Sequence, residues 1–172
     1  MSLKNSNPVK CRSWTMMFEK AGVNARLREL GIELPRVEKS LGNYMPYVHS
    51  QRLLFISGQG PRGPDGQWLR GTVGADVSVK AAYEHARLAG VRLLSVAQSA
   101  LGSLERVSRV YKVVGFVNAA PGFREHPAVI NGCSDLLVSV FGERGRHARS
   151  AVGVGSLPED ITVEIEAILE VK

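Results

Sequence analysis

An arginine and two glutamates near the C-terminus have the side chains needed to handle a small carboxylic acid. Arg149 stands in an alternating run in which Ala151, Gly153 and Gly155 share its face. Successive side chains of a strand point to opposite faces, so these small residues leave open space around the guanidinium. The planar guanidinium can bind a carboxylate through two parallel hydrogen bonds. The run therefore predicts an anion site at Arg149.

Residues 163–171 form a second alternating run, and Glu164 and Glu166 lie on its polar face. Its apolar face consists of Val163, Ile165, Ala167, Leu169 and Val171. This is the pattern of an ordinary half-buried strand, but it also fits a site in which one glutamate manages water or protons. The two runs flank a turn at residues 157–160, which predicts a β-hairpin or a closely connected strand pair.

The rest of the chain supplies the elements that must position these side chains. Strand-forming runs occupy residues 37–41, 47–49, 51–57, 68–71 and 104–118. Apolar residues at helical spacing follow Ser78, a plausible N-cap, as far as Gly102. A second helix is predicted at residues 126–141. This order predicts an α+β fold, a mixed β-sheet with two helices packed on one face.

The positive charge of the chain is concentrated at its N-terminus. Residues 1–36 contain seven Lys or Arg and three Asp or Glu, and the formal net charge of the whole chain is +6. We predict that 1–36 is an extension, partly disordered with a short helix at about 23–30, and that 37–172 is the domain. Aromatic residues make up only 6% of the chain and do not alternate with basic residues. Nucleic-acid binding is therefore not favoured as the main role.

Composition also limits the cellular setting. No apolar stretch approaches the roughly 18 residues of a membrane span, and the start lacks the apolar centre of a signal peptide. A cytoplasmic location and no membrane partner are the expectation. The two cysteines, Cys11 and Cys133, have no metal-binding spacing, and a structural disulfide would be unusual in such a compartment. We expect no metal and no cofactor.

Four segments in order resemble the RidA family, also called YjgF and, in older usage, L-PSP endoribonuclease. They are Gly-Asn-Tyr at 42–44, Leu-Phe-Ile-Ser-Gly-Gln-Gly-Pro at 54–61, the pair 113–117 and 129–131, and the C-terminal stretch that begins Arg149-Ser150 and closes with Val-Glu-Ile-Glu-Ala-Ile at 163–168. The resemblance covers roughly residues 41–171. It implies a chorismate-mutase-like fold and a homotrimer with ligand clefts between subunits.

The resemblance also implies roles for individual residues. Arg149 matches the arginine that binds the carboxylate of a small 2-imino acid. Glu164 matches the acidic residue that positions the attacking water, with Glu166 as its rival. The residues that match substrate-binding positions are Tyr44, Ser57, Gly58, Gln59, Asn131 and Ala151. Tyr44 could instead be packed, Asn131 could bond to nearby backbone, and Gly58 is expected to supply an unusual backbone geometry.

Three positions depart from the family pattern. His147 and Asn43 stand where most members have proline, and Ala151 stands where many have cysteine. These differences suggest a divergent subgroup. His147 could reach the cleft or be an exposed loop histidine.

The family resemblance predicts hydrolytic deamination of reactive 2-imino or enamine acids to 2-keto acids and ammonia. The alternative from another class is a non-catalytic protein that senses small carboxylates such as 2-keto acids through the same arginine. Endoribonuclease activity, the older family label, is less well supported, because the sequence does not resemble a paired His/His or His/Lys ribonuclease centre.

Overall fold

The computed structural model describes residues 22–37 and 42–172. Its helices are α1 (Val23–Glu29), α2 (Val79–Leu101) and α3 (His126–Phe141). Its strands are β1 (Tyr47–Ser50), β2 (Leu53–Gln59), β3 (Val107–Asn118), β4 (Ala148–Val154) and β5 (Val163–Val171). Short 3-10 turns occupy Leu104–Arg106, Gly142–Gly145 and Pro158–Asp160.

The five strands form one mixed sheet in the order β1-β2-β5-β3-β4. Strands β3 and β4 are parallel, and every other neighbouring pair is antiparallel. The parallel pair follows from the connection between its strands, because α3 carries the chain back across the sheet before β4 begins. The α+β class with a mixed sheet is confirmed.

The predicted pairing of the two C-terminal strands is wrong. Strand β3 lies between β4 and β5, so that Val113 of β3 is in register with Arg149 on one side and Ala167 on the other. Alternation along a strand indicates which residues share a face, but it does not identify the neighbouring strand. The predicted turn at 157–160 is a connection across β3, with positive φ at Glu159 and Asp160.

Of two other predicted strands, the one at 68–71 does not form, and the one at 37–41 lies mostly outside the described residues. Residues 68–71 form only isolated bridges, Trp68 with Arg62 and Arg70 with Ile161. Residues 38–41 of the predicted strand at 37–41 lie outside the described residues, and Val37 belongs to no strand.

The long helices begin and end where the sequence predicts. The Ser78 hydroxyl accepts a hydrogen bond from the Ala81 amide at 3.2 Å, and Gly102 closes α2 with a φ of 74°. Both helices cover one face of the sheet, where alternate residues of β5 are buried. The opposite face carries the other set of β5 side chains and is open.

Helix α1 packs against the end of α3. Val23 and Leu27 are buried in the core, and the Arg26 guanidinium donates to the Ser139 carbonyl at 3.2 and 3.3 Å. The division of the chain at residue 37 stays a prediction. None of the helices within the described residues combines the length and apolar character needed to cross a membrane.

Candidate functional site

Arg149 lies on the outer strand β4 and points to the helix-covered side of the sheet. Its register partner Val113 is fully buried under the helices, and paired residues of neighbouring strands share a face. Nη1 donates to Asn131 Oδ1 at 2.9 Å and to Ser134 Oγ at 3.0 Å. Nη2 donates to the Pro127 carbonyl at 3.4 Å. Helix α3 therefore supplies all three acceptors.

The acceptors around Arg149 are all neutral. Within residues 22–37 and 42–172, no carboxylate oxygen lies within 4 Å of the guanidinium. Two of its five N–H donors, Nε–H and one on Nη2, make no hydrogen bond to the described residues. These adjacent nitrogens form one edge of the guanidinium, the geometry that takes a carboxylate in two parallel hydrogen bonds. The structure thus orients the side chain and leaves its charge uncompensated.

The expected open space along the face of Arg149 is partly filled. The imidazole of His126 lies so close to Gly153 that a Cβ there would overlap it. Ala151 is half-buried and packs against the core. Only at Gly155 does an added Cβ meet nothing within 4 Å. The prediction of an empty row is therefore wrong at Gly153, because the first turn of α3 covers it.

A histidine and a serine extend the polar cluster at Arg149. His147 Nε2 lies 3.0 Å from Ser134 Oγ, and His147 Nδ1 lies 2.6 Å from the Gly145 carbonyl. Burial and the nearby Arg149 charge lower the pKa of His147, and the hydrogen bond to Gly145 opposes them. Sequence reasoning missed Ser134. Its position three residues after Asn131, on the same face of a helix, was the available signal.

Glu164 lies on the other face of the sheet. It is in register with Phe116, next to the buried pair Val117 and Val163. Burial raises the pKa of Glu164, and the neighbouring Glu166 raises it further. The carboxyl group lies against the backbone of Gly58, where a Cβ would overlap it.

Gly58 does not have the positive φ that only glycine adopts readily. It lies where the pairing of β2 with β5 shifts register between Ile56 and Gln59. Glycine is needed at this position because it leaves room for the Glu164 side chain.

The other matched residues surround the end of β2. The Ser57 hydroxyl donates to the Met45 carbonyl at 2.7 Å. Tyr44 is 54% exposed and, with Gly58 and Gln59, lines a cavity beside Trp68. The phenol is therefore available to a ligand and is not buried by packing.

The structure thus separates the matched residues into two groups. Arg149, Asn131 and Ala151 lie at β4 and α3. Tyr44, Ser57, Gly58 and Glu164 lie around the end of β2, with Glu164 on the open face. Because Arg149 and Glu164 point to opposite faces of the sheet, one chain does not bring them together.

Cys133 does not add a nucleophile to the cluster at Arg149. It is fully buried in α3, and burial raises the pKa of its thiol to about 12, with Arg149 opposing the shift. A thiol in that state is protonated at neutral pH. Cys11 lies outside the described residues.

Known proteins resemble this chain over most of its length. Residues 24–163 match the family described as "YjgF/chorismate_mutase-like, putative endoribonuclease". Protein TCP17 of Trypanosoma cruzi is 46% identical over 149 residues, which cover 86% of this chain and 93% of that protein.

Solved structures agree with this assignment. Atu1372 of Agrobacterium tumefaciens, a protein of unknown function, is 42% identical with a TM-score of 0.80, over 92% of this chain and 99% of that one. A "putative endoribonuclease" of Shewanella oneidensis is 34% identical with a TM-score of 0.84, over 87% of this chain and 99% of that one. With the family match covering most of the residues and the fold agreeing, the chain belongs to the RidA/YjgF family.

Proposed function

We propose that this protein hydrolyses reactive 2-imino acids to 2-keto acids and ammonia, with Arg149 binding the substrate carboxylate. The observation that carries the proposal is the Arg149 guanidinium, which three neutral oxygens orient and no described carboxylate neutralises. An isolated arginine in such a setting stabilises the fold little, but it suits an anionic ligand well.

An imine carbon is already electrophilic. The protein therefore needs to orient the substrate and to supply a group that accepts a proton from the attacking water. Glu164 is the proposed group that holds the attacking water and takes up its proton. The raised pKa of Glu164 supports this role, because a general base works best when its pKa lies near the working pH. Glu164 then passes the proton taken from water to the nitrogen of the adduct. As the C=O bond forms, the hydroxyl proton follows to the nitrogen, so that the C–N bond breaks, ammonia leaves and the 2-keto acid remains.

A complete site of this kind requires more than one copy of the chain. Arg149 and Glu164 lie on opposite faces of the sheet, so they can meet only across an interface. The open face offers one, because Val48, Phe55 and Val152 expose 56%, 40% and 44% of their surface there. We propose a homotrimer in which β4 of one chain approaches the end of β2 in the next.

The direct test is ammonia release from freshly generated 2-iminopropionate. We expect Arg149→Ala to lower kcat/KM at least a hundredfold while the protein stays folded, since the change removes an anion anchor and no core volume. Arg146→Ala is the matched control: this neighbouring arginine is exposed and pairs with Glu143, so activity should persist. Full deaminase activity in folded Arg149→Ala protein would contradict the proposal.

One observation favours a second function, a non-catalytic sensor of 2-keto acids. In a single chain the carboxylate anchor has no carboxylate base beside it, because Glu164 faces away. Calorimetry with 2-ketobutyrate separates the two proposals. Saturable binding that depends on Arg149, with no acceleration of imine hydrolysis at any protein concentration, would favour the sensor.

A further inference from the structure

The cluster at Arg149 fixes the protonation state of its histidine. A carbonyl oxygen only accepts hydrogen bonds, so the 2.6 Å contact with Gly145 places a hydrogen on His147 Nδ1. Nε2 of the neutral ring then carries a lone pair, and the Ser134 hydroxyl donates to it at 3.0 Å. The Ser134 oxygen in turn accepts from Arg149 Nη1. Every donor in this chain of bonds has an acceptor when the ring is neutral.

Protonation of His147 would reverse one bond of this chain. Nε2–H would then donate to the Ser134 oxygen, which already accepts from Arg149. A hydroxyl oxygen has two acceptor sites, and these two N–H groups would fill both. The Ser134 hydrogen would be released to point at another acceptor.

The charges around His147 favour the neutral ring while the site is empty. His147 lies close to Arg149 of β4 and to the Ser134 hydroxyl of α3. The charged and titratable groups that line the depression beside it are Arg109 and Tyr111 of β3 and Arg146, which pairs with Glu143 at 2.9 Å. An anion at Arg149 would offset this positive surround and make a second positive charge less costly.

We propose that Arg149, Ser134 and His147 form a proton-coupled anion site, in which a carboxylate binds more tightly after His147 has taken up a proton. This proposal rests on the proposed function of Arg149. It adds that protonation of His147 regulates anion binding at that arginine. Protonation adds a positive charge close to Arg149, and this added charge strengthens the binding of an anion there. By linkage, the bound anion must raise the pKa of His147 by the matching amount.

Two measurements on the full chain test this coupling. The first is the Kd of 2-ketobutyrate by calorimetry between pH 8 and pH 5.5, where we expect binding to tighten roughly three- to tenfold as pH falls. The second is NMR titration of the His147 ring with and without saturating 2-ketobutyrate, where the pKa should rise on binding.

Variants separate the coupling from the anchor. His126 also lies on the Arg149 face, so both compared proteins carry His126→Gln. In that background His147→Gln should make the Kd independent of pH in this range, because neither amide can take up a proton. His49→Gln removes an exposed histidine of β1 and should keep the wild-type pH profile. A pH profile that survives in His147→Gln, or a His147 pKa unmoved by ligand, overturns the coupling and leaves the proposed function intact. No binding by the wild type at any pH overturns the anion site itself.

Discussion

The chemistry of Arg149 depends on what surrounds it as much as on the guanidinium itself. Asn131, Ser134 and the Pro127 carbonyl hold the side chain through oxygens that carry no full charge. A carboxylate in any of these positions would neutralise the arginine and compete with an anionic ligand. Neutral acceptors restrict the side-chain rotamers, which reduces the entropy lost on binding, and they leave the positive charge available.

The first prediction at this scale concerns Asn131. Replacing it with alanine removes the 2.9 Å bond to Nη1, so the guanidinium should sample more orientations. A hydrogen bond to a charged group contributes about 1.5–3 kcal/mol, and we expect 2-ketobutyrate to bind about tenfold more weakly. Calorimetry measures the effect, with Asn24→Ala on the exposed side of α1 as control. An unchanged Kd would show that the Asn131 hydrogen bond does not position Arg149.

The second prediction concerns the contact between Gly58 and Glu164. Alanine at residue 58 would overlap the glutamate side chain, so Gly58→Ala should displace the carboxyl group, cost about 1 kcal/mol of unfolding free energy and lower activity. Because the clash is with a side chain, Glu164→Ala should remove the stability cost in a double-mutant cycle followed by urea denaturation. Gly155→Ala, which meets nothing within 4 Å, is the control. If Gly58→Ala lowers the unfolding free energy equally in wild-type and Glu164→Ala protein, the added methyl group does not clash with the Glu164 side chain.

For individual residues, the sequence indicates which side chains could form the site. It does not indicate which other residues they contact. Arg149 and the small residues that follow it were recognisable, whereas Ser134 became part of the site only once α3 was placed against β4. The contact of Glu164 with Gly58 joins residues that are far apart in the chain, and no local pattern signals it.

Among the elements, α3 does most to assemble the cluster at Arg149, and its position depends on a close approach to α2. At Gly132 of α3, a Cβ would overlap the backbone carbonyl of Tyr83 in α2. A backbone atom cannot rotate away as a side chain can. The two helices therefore lie as close as they do only because residue 132 has no side chain.

The third prediction follows from that contact. Gly132→Ala should force the helices apart and lower the free energy of unfolding by about 2–3 kcal/mol. Gly90→Ala, on the facing helix, meets the side chains of Leu136 and Cys133 at 2.9 and 3.1 Å and should cost less, because side chains can adjust. Urea denaturation of both variants measures the difference. A larger cost at Gly90 would contradict this account of the helix packing.

The elements themselves could largely be predicted from the sequence, and their pairing could not. Helix α2 has a local start signal at Ser78 and a local stop signal at Gly102, and both act as predicted. Strands β4 and β5 were found by their alternation, but the insertion of β3 between them depends on the path of α3 and on burial, which are properties of the assembled fold. A short stretch of sequence shows neither the path of α3 nor which strands are buried side by side.

For the whole molecule, the sheet has one face covered by helices and one face that mixes apolar and charged residues. Val48, Phe55 and Val152 are exposed there beside Lys112, which donates to Ser150 at 2.9 Å, and the half-buried Glu164. An apolar surface with polar groups at its edge is typical of an interface between subunits. In the proposed homotrimer, the separation of Arg149 from Glu164 would give this interface a function, because each chain would supply half of a site to its neighbour.

The last prediction tests this division directly by mixing inactive chains. Arg149→Ala and Glu164→Ala variants should each lack deaminase activity as pure proteins. In randomly mixed oligomers, an intact site forms wherever the arginine of a Glu164→Ala chain meets the glutamate of an Arg149→Ala chain. At equal amounts this occurs at about one quarter of the interfaces, so co-expressed and co-purified mixtures should recover about one quarter of the wild-type activity. Two tags on the chains confirm that mixing occurred. If mixed oligomers stay inactive, Arg149 and Glu164 do not share a site across the interface, because each mixture contains both side chains intact on different chains.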